Sequence, residues 1–227
     1  GDRKIIVSTK GRIQEQTREY RAFERALCPD LPLVVIVNRG SASASEIVTG
    51  AIKDLGRGII LGTKTFGKGS VQSLYKLSDT SELRLTTAYY YTPKGIRIHE
   101  IGIEPDMIYE EMPPDETFLK LTKAEYFLKF AKKMFKENPK IDKKTKIDEK
   151  ALEKFLMFCR AEGMDIHDDD VIRNKSWIQR GIKIELVKQL STENVQEEAD
   201  MASIEEDFQV KKAVELIKII PLFGFKH

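Results

Sequence analysis

Up to about residue 110 the apolar residues of this chain come in short continuous runs; beyond it they recur every three or four positions. The first pattern predicts strands joined by short connections, the second amphipathic helices. Arg3–Thr9 reads as a strand, followed by Lys10-Gly11 and a polar stretch rich in Gln, Glu and Arg. Pro32 opens Leu33–Val37, a β-branched run typical of a strand covered on both faces. After Asn38-Arg39-Gly40, the segment Ser41–Glu46 leads into a helix to about Leu55, ended by Gly56. Ile47, Val48, Ala51, Ile52 and Leu55 would form its apolar face. Ile59-Ile60-Leu61 predicts a second strand, and Val71–Leu77 with Glu82–Thr92 flank Ser78–Ser81 as a β-hairpin. Strand, helix and strand with short links imply a right-handed βαβ unit in a largely buried sheet.

The helical grammar begins at Pro113-Pro114-Asp115, a boundary and a helix start. Phe118, Leu121, Phe127, Leu128 and Phe130 follow at helical spacing. A positive, linker-like stretch, Asn138–Lys150, precedes three helical runs: Glu149–Ala161, Val171–Gln189 and Glu205–Ile220, the last stopped by Pro221. Glu197–Asp207 carries six carboxylates and no base, and reads as a solvated helix start or loop. The chain is thus expected to divide into an α/β portion, 1–112, and an all-α portion, 113–227. Aromatic knobs at Phe118, Phe127, Phe130, Phe155, Phe158 and Trp177 are expected to close a helical subdomain; the alternative is that part of that face pairs with another protomer.

Composition narrows the function. The 227 residues are 41% apolar and 33% charged, enough to bury a core and too ordinary for a disordered chain. Lys plus Arg is 38 against 36 acids, a net charge of +2, so the basic excess of a nucleic-acid binder is missing. No apolar run reaches the roughly 18 residues of a membrane span, and the first residues lack a secretory apolar region. Cys28 and Cys159 are far apart and predict two reduced, partly buried thiols. Together with His99, His167 and His227 they form no ligand pattern, so neither a metal site nor a Cys–His pair is expected.

The candidate chemistry is concentrated in Asn38–Gln72. A strand running through a small-residue turn, Gly40-Ser41-Ala42-Ser43-Ala44-Ser45-Glu46, into a helix is where α/β enzymes present a nucleophile beside the first helical N–H groups. Three serines are available, and the pattern by itself does not choose between them. Ser43-Ala44-Ser45-Glu46 also fits a capping box, in which the serine only satisfies orphan N–H groups. The next loop, Gly62–Gln72, brings glycines, lysines and a glutamine to the same edge of the sheet. A lysine serves as general base for a serine only as the neutral amine, which requires a shift of roughly three pKa units, about 4 kcal/mol. Burial away from counter-charges can supply this, and Gly56–Leu77 contains no carboxylate. A phosphate loop is the rival, but Gly69 follows Lys68 where G-x-x-x-x-G-K-[ST] needs Ser or Thr.

Three segments carry a family resemblance: Asn38–Ile47, Lys64–Gln72 and Tyr91-Thr92-Pro93-Lys94-Gly95. Together with Ser8–Arg12 and Gly102–Asp106, they closely resemble the carboxyl-terminal processing (tail-specific) proteases over about residues 3–110. The resemblance implies a partial crotonase- or ClpP-like α/β core and serine endopeptidase activity on unstructured or C-terminal protein segments. By its motifs Ser43 is the nucleophile, Lys68 the general base and Gln72 its companion. The backbone amide of Ala44 is one oxyanion donor, Lys64 is a bystander, and Ser41 and Ser45 are turn and cap residues. No metal or organic cofactor is implied, and members typically act in the bacterial periplasm or cell envelope. In the family an L-x-x-N-P-G-G type segment with a further oxyanion amide, and a PDZ domain, precede the matched region. Both are expected to lie outside residues 1–227, and residues 1–227 alone are expected to turn over poorly. Without that segment, Arg3–Thr9 or Leu33–Val37 would be left with an unpaired apolar edge. His99 stands where the family commonly has Gln. A non-catalytic scaffold built on a protease core is the competing reading.

Overall fold

A computed structural model of the chain describes residues 3–110 and 112–219; Pro221 and His227 lie outside them. The chain forms two compact units, Gly1–Glu110 with Lys212–His227, and Glu111–Lys211. The first is mixed α/β and the second is all helical.

The first unit holds two sheets. Strands β1 (Ile5–Gly11), β2 (Arg18–Arg21), β5 (Ser70–Lys76) and β6 (Glu82–Tyr91) form an antiparallel sheet in the order β2-β1-β6-β5. β1 lies between β2 and β6, so the expectation of an open Arg3–Thr9 edge does not hold. The polar stretch after β1 supplies β2, whose four exposed residues give no apolar alternation to read. The hairpin β5–β6 forms as expected, and β5 is one edge strand of this sheet, β2 the other.

The second sheet is parallel, in the order β3 (Val34–Val37), β4 (Ile59–Gly62), β7 (Met107–Ile108). α1 (Ala44–Asp54) connects β3 to β4, completing the strand–helix–strand unit. β3 is not covered on both faces: as the sheet's edge, its Val34, Val35 and Ile36 are only half-buried. Nor is the apolar stripe of α1 its buried face. Glu46, Thr49, Gly50 and Ala51 are buried, while Val48 is 54% exposed. The helix lies too close for larger side chains, since a Cβ on Gly50 would meet Thr92 Cγ2 at 2.9 Å.

The helical unit contains α2 (Glu116–Lys123), α3 (Tyr126–Glu137), α4 (Glu149–Ala161), α5 (Asp168–Arg173), α6 (Lys175–Leu190) and α7 (Val195–Glu205). α2 starts at the expected Asp115, which accepts from the amides of Thr117 and Phe118. Phe127, Phe130, Phe155 and Phe158 pack ring on ring at 5.2 to 5.5 Å around the buried Leu121, Ile178, Ile182 and Leu186. These aromatics therefore close the unit's own core. The run Val171–Gln189 is two helices, because buried Asn174 turns its amide onto the Asp170 carbonyl and accepts from the Asp115 amide, competing with the helical ladder. The acidic stretch Glu197–Asp207 is mostly helix α7, held by Ala199 and Ala202, which are buried.

α8 (Phe208–Ile219) leaves the helical unit and joins the first one. Its Ala213 and Leu216 cluster with Leu61 of β4, beside Val34, Ile36 and Tyr109. The cysteines are free; Cys28 is exposed rather than partly buried. Cys159 is buried, which pushes its thiol up to about 12.

Candidate active site

The site begins where β3 ends. Asn38 closes the turn on itself: its carbonyl accepts from the Ser41 amide at 2.9 Å, its side chain from Gly40 at 2.8 Å. The Ser41 hydroxyl accepts from the Asn38 amide, which makes Ser41 a turn residue. Ser43 is the N-cap of α1, with φ 58° and ψ −115°. Left-handed backbone is unfavourable for a residue with a Cβ, by about 1–3 kcal/mol, and is retained where a site needs it. The cap is therefore Ser43 and not Ser45, and its hydroxyl makes no capping hydrogen bond. Ser43 and Glu46 stand in capping-box arrangement, with the Ser43 amide donating to Glu46 Oε2 at 3.0 Å. Ser43 is exposed, and the amide of Ala44, first residue of α1, donates no hydrogen bond among the described residues.

The second loop leaves β4 through Gly62, at φ 127°, where a Cβ would stand 1.9 Å from the Val37 carbonyl oxygen. No residue other than glycine fits there. The loop then folds onto the first: Phe66 N–H donates to the Ser41 carbonyl at 3.0 Å.

Glu46 joins the two loops. It is fully buried, and its carboxylate takes four donors. Oε1 accepts from Thr65 Oγ1 at 2.5 Å and from the Gly67 amide at 2.7 Å. Oε2 accepts from the amides of Ser43 at 3.0 Å and Lys68 at 2.8 Å. One oxygen atom thus fixes the backbones of both candidate dyad residues. Thr65 is held in turn by the Ile103 amide, which donates to its hydroxyl at 2.8 Å.

The side chains are less closely joined than the backbones. Lys68 is exposed, and its ammonium makes no hydrogen bond or ion pair among the described residues. Ser43 Oγ, Lys68 Nζ and the Gln72 amide are not hydrogen-bonded to one another. Catalytic contacts of this kind are often long in ligand-free structures and tighten with substrate. Gln72 is exposed on β5, opposite Thr86, just after a register shift between Val71 and Gln72. Lys64 pairs with Glu104 at 2.7 Å. Carboxylates therefore reach this loop from outside Gly56–Leu77, which the sequence window did not show.

His99 stacks on Tyr89, centroids 4.8 Å apart, and its Nδ1 is buried without a hydrogen-bond partner. Its backbone abuts the loop, since a Cβ on Gly69 would meet His99 N at 2.5 Å. An open groove of about 440 Å³ runs from Val35–Val37 past Val48 to Ser41, Ala44 and Ser45. Among the described residues no cluster of His, Cys, Asp and Glu could hold a metal ion.

Glu46 and Thr65 were missed as site residues from sequence. The available signal was an acid at the i position of a buried i, i+3, i+4 set, Glu46, Thr49 and Gly50, which demands donors from another segment.

The model of peptidase family S41 matches residues 1–109. A carboxy-terminal-processing protease of Bartonella bacilliformis is 50% identical over 111 residues, 49% of this chain and 26% of that protein. A carboxyl-terminal-processing protease of Synechocystis is 50% identical over 106 residues, 47% and 24% of the two chains. Among solved structures, a photosystem II D1 C-terminal processing protease is 42% identical, covering 51% of this chain and 30% of that one, with a TM-score of 0.45. The chain spans about a quarter of the length of these curated relatives. Over residues 1–109, just under half of its length, this chain is similar to peptidase family S41 and to these carboxyl-terminal-processing proteases.

Proposed function

We propose that the chain carries the Ser–Lys site of a serine endopeptidase of the carboxyl-terminal processing type. The observation that carries the reading is Ser43: strained, exposed, at a helix N-terminus, its hydroxyl unused in capping, and tied through one carboxylate oxygen to the backbone of Lys68. In this mechanism Ser43 Oγ attacks the scissile carbonyl while Lys68, as general base, takes its proton and passes it to the leaving amine. Water then hydrolyses the acyl-enzyme by the same route in reverse. The free Ala44 amide and the α1 dipole stabilise the oxyanion, and Gln72 positions the lysine.

The substrates proposed are protein segments with unstructured C-terminal tails, bound in extended form. The free edge of β5 offers main-chain hydrogen bonds to such a strand. The groove past Val35, Val37 and Val48 suits an apolar side chain. The core is proposed as crotonase- or ClpP-like, spanning 1–112, with 113–227 as a helical extension through which a second protomer would attach. Members of the family are typically proteases of the periplasm or cell envelope, and the same compartment is proposed here.

A serine-reactive phosphonate tests the site. Labelling should map to Ser43, vanish in Ser43→Ala, and fall sharply in Lys68→Ala and Lys68→Arg, since a guanidinium cannot deprotonate near neutral pH. Labelling that persists in Ser43→Ala would remove the assignment and favour the scaffold reading, to which the unjoined Ser43, Lys68 and Gln72 side chains are the relevant observation.

The second oxyanion donor is placed on the segment that family members carry before the matched region. One such donor is worth a factor of roughly 10² to 10³ in turnover. Fusing the remaining protease segments of the Bartonella relative to residues 1–227 should raise cleavage by about that factor. Robust cleavage by residues 1–227 alone, lost in Ser43→Ala, would locate the second donor within this chain.

A further inference from the structure

The helical unit carries an open groove and, on a different helix, an exposed stripe of matching chemistry. The groove, of about 840 Å³, is formed by α3, the 138–148 connection and α4. Its floor is apolar, from Phe130, Ile141 and Phe158, and Met157 stands 70% exposed at its side. Its rim is basic: Lys146, Lys150 and Lys154 make no hydrogen bond or ion pair among the described residues. The two acids there are already engaged, Glu137 with Lys133 at 3.9 Å and Asp148 with the Ala151 amide at 2.9 Å. An occupant must therefore bring apolar side chains flanked by carboxylates.

α7 presents that combination. Glu197, Asp200, Met201, Ile204 and Glu205 are all exposed and fall at i, i+3, i+4, i+7 and i+8, one face of the helix. Met201 and Ile204 are 54% and 50% exposed. Glu197 and Glu205 have no partner among the described residues, and Asp200 accepts only from Gln196, on its own helix. The opposite face of α7 is fixed, with Ala199 and Ala202 buried, Glu198 paired with Lys143, and Ser203 held by Arg180 at 2.7 Å. The stripe therefore cannot turn into the groove of its own chain.

Resting on the reading that a second protomer attaches through the helical unit, we propose that the α7 stripe of one chain docks in the α3–α4 groove of another. Met201 and Ile204 cover the Phe130–Phe158 floor, and Glu197, Asp200 and Glu205 meet Lys146, Lys150 and Lys154. This is a helix-in-groove contact. Two turns of helix bury less than the roughly 800 Å² per partner of a stable interface, so a two-fold dimer that uses the contact twice is the form it takes.

Sedimentation equilibrium of the 227-residue chain tests this without reference to proteolysis. The wild type should dimerise, more weakly at high salt. Lys150→Glu with Lys154→Glu, or Glu197→Lys with Glu205→Lys, should each raise the dissociation constant at least about tenfold, because like charges then face each other. All four changes in one chain should restore dimerisation, which a merely damaged fold would not. Dimerisation untouched by either pair would overturn the proposed surfaces while leaving self-association standing. A wild type monomeric at all concentrations would overturn both. Binding of a synthetic Glu/Leu dodecapeptide to that monomer would then identify the groove as a site for a foreign acidic segment.

Discussion

Glu46 shows how one side chain can set the spacing of a site it does not itself operate. Four donors converge on its carboxylate, two of them the amides of Ser43 and Lys68. In Glu46→Gln an NH₂ group must replace one acceptor oxygen and face N–H groups that have nowhere else to go. Leaving buried donors unsatisfied costs about 1–3 kcal/mol. We expect Glu46→Gln to lower the thermal midpoint and reduce phosphonate labelling of Ser43 at least about tenfold, with Ser43 and Lys68 both intact. Unchanged labelling and midpoint would show that the loops hold their positions without the carboxylate. From sequence, Glu46 was legible as a capping residue because that role is local. Its bonds to Thr65, Gly67 and Lys68 bridge about twenty residues, and no periodicity reports them.

At the scale of elements, local signals were read well and boundaries set by tertiary contacts were not. The hairpin β5–β6, the start of α2 and the span of α4 follow from turn residues, a cap and helical spacing. β2 was invisible because all four of its residues are exposed, and the buried Asn174 that splits α5 from α6 looks from sequence like an ordinary helix position. The cap of α2 carries a pH signature. Burial raises the Asp115 carboxyl, but bonds from Asn174, Phe118, Thr117 and Arg173 outweigh it and leave the group below its ordinary value. A depressed carboxyl stabilises the fold above its unfolded value and loses that contribution as pH falls through the folded one. Asp115→Ala should therefore cost about 1 kcal/mol near neutrality and progressively less below pH 4, by denaturant titration at both pH values. A cost that does not shrink with acid would assign the loss to packing instead.

The whole molecule is arranged around a chain that returns. After about a hundred residues of helical unit, α8 comes back to the parallel sheet, and Ala213 and Leu216 cluster with Leu61 beside Val34 and Ile36. Leu216, 5% exposed, should cost about 2–5 kcal/mol as Leu216→Ala, with the loss appearing in the unfolding of the α/β unit and little change in the helical one. Equal destabilisation of both units would mean they unfold as one body. The change of grammar near residue 113 was plain in the sequence, whereas the return was not, because an amphipathic helix does not name the surface it covers.

That return also fixes an order of events during synthesis. The helices from α2 to α7 find their partners close by in sequence, and such contacts form early and fast. β3 and β4 are made long before them, yet one face of their sheet waits for residues about 150 positions further on, a closure whose entropy must be met before the contact forms. The strand leading into Ser43 therefore stays half-covered until the ribosome has released Leu216. The candidate site is thus written well before it is finished, and a nascent chain carries Ser43 on an incomplete scaffold until α8 arrives.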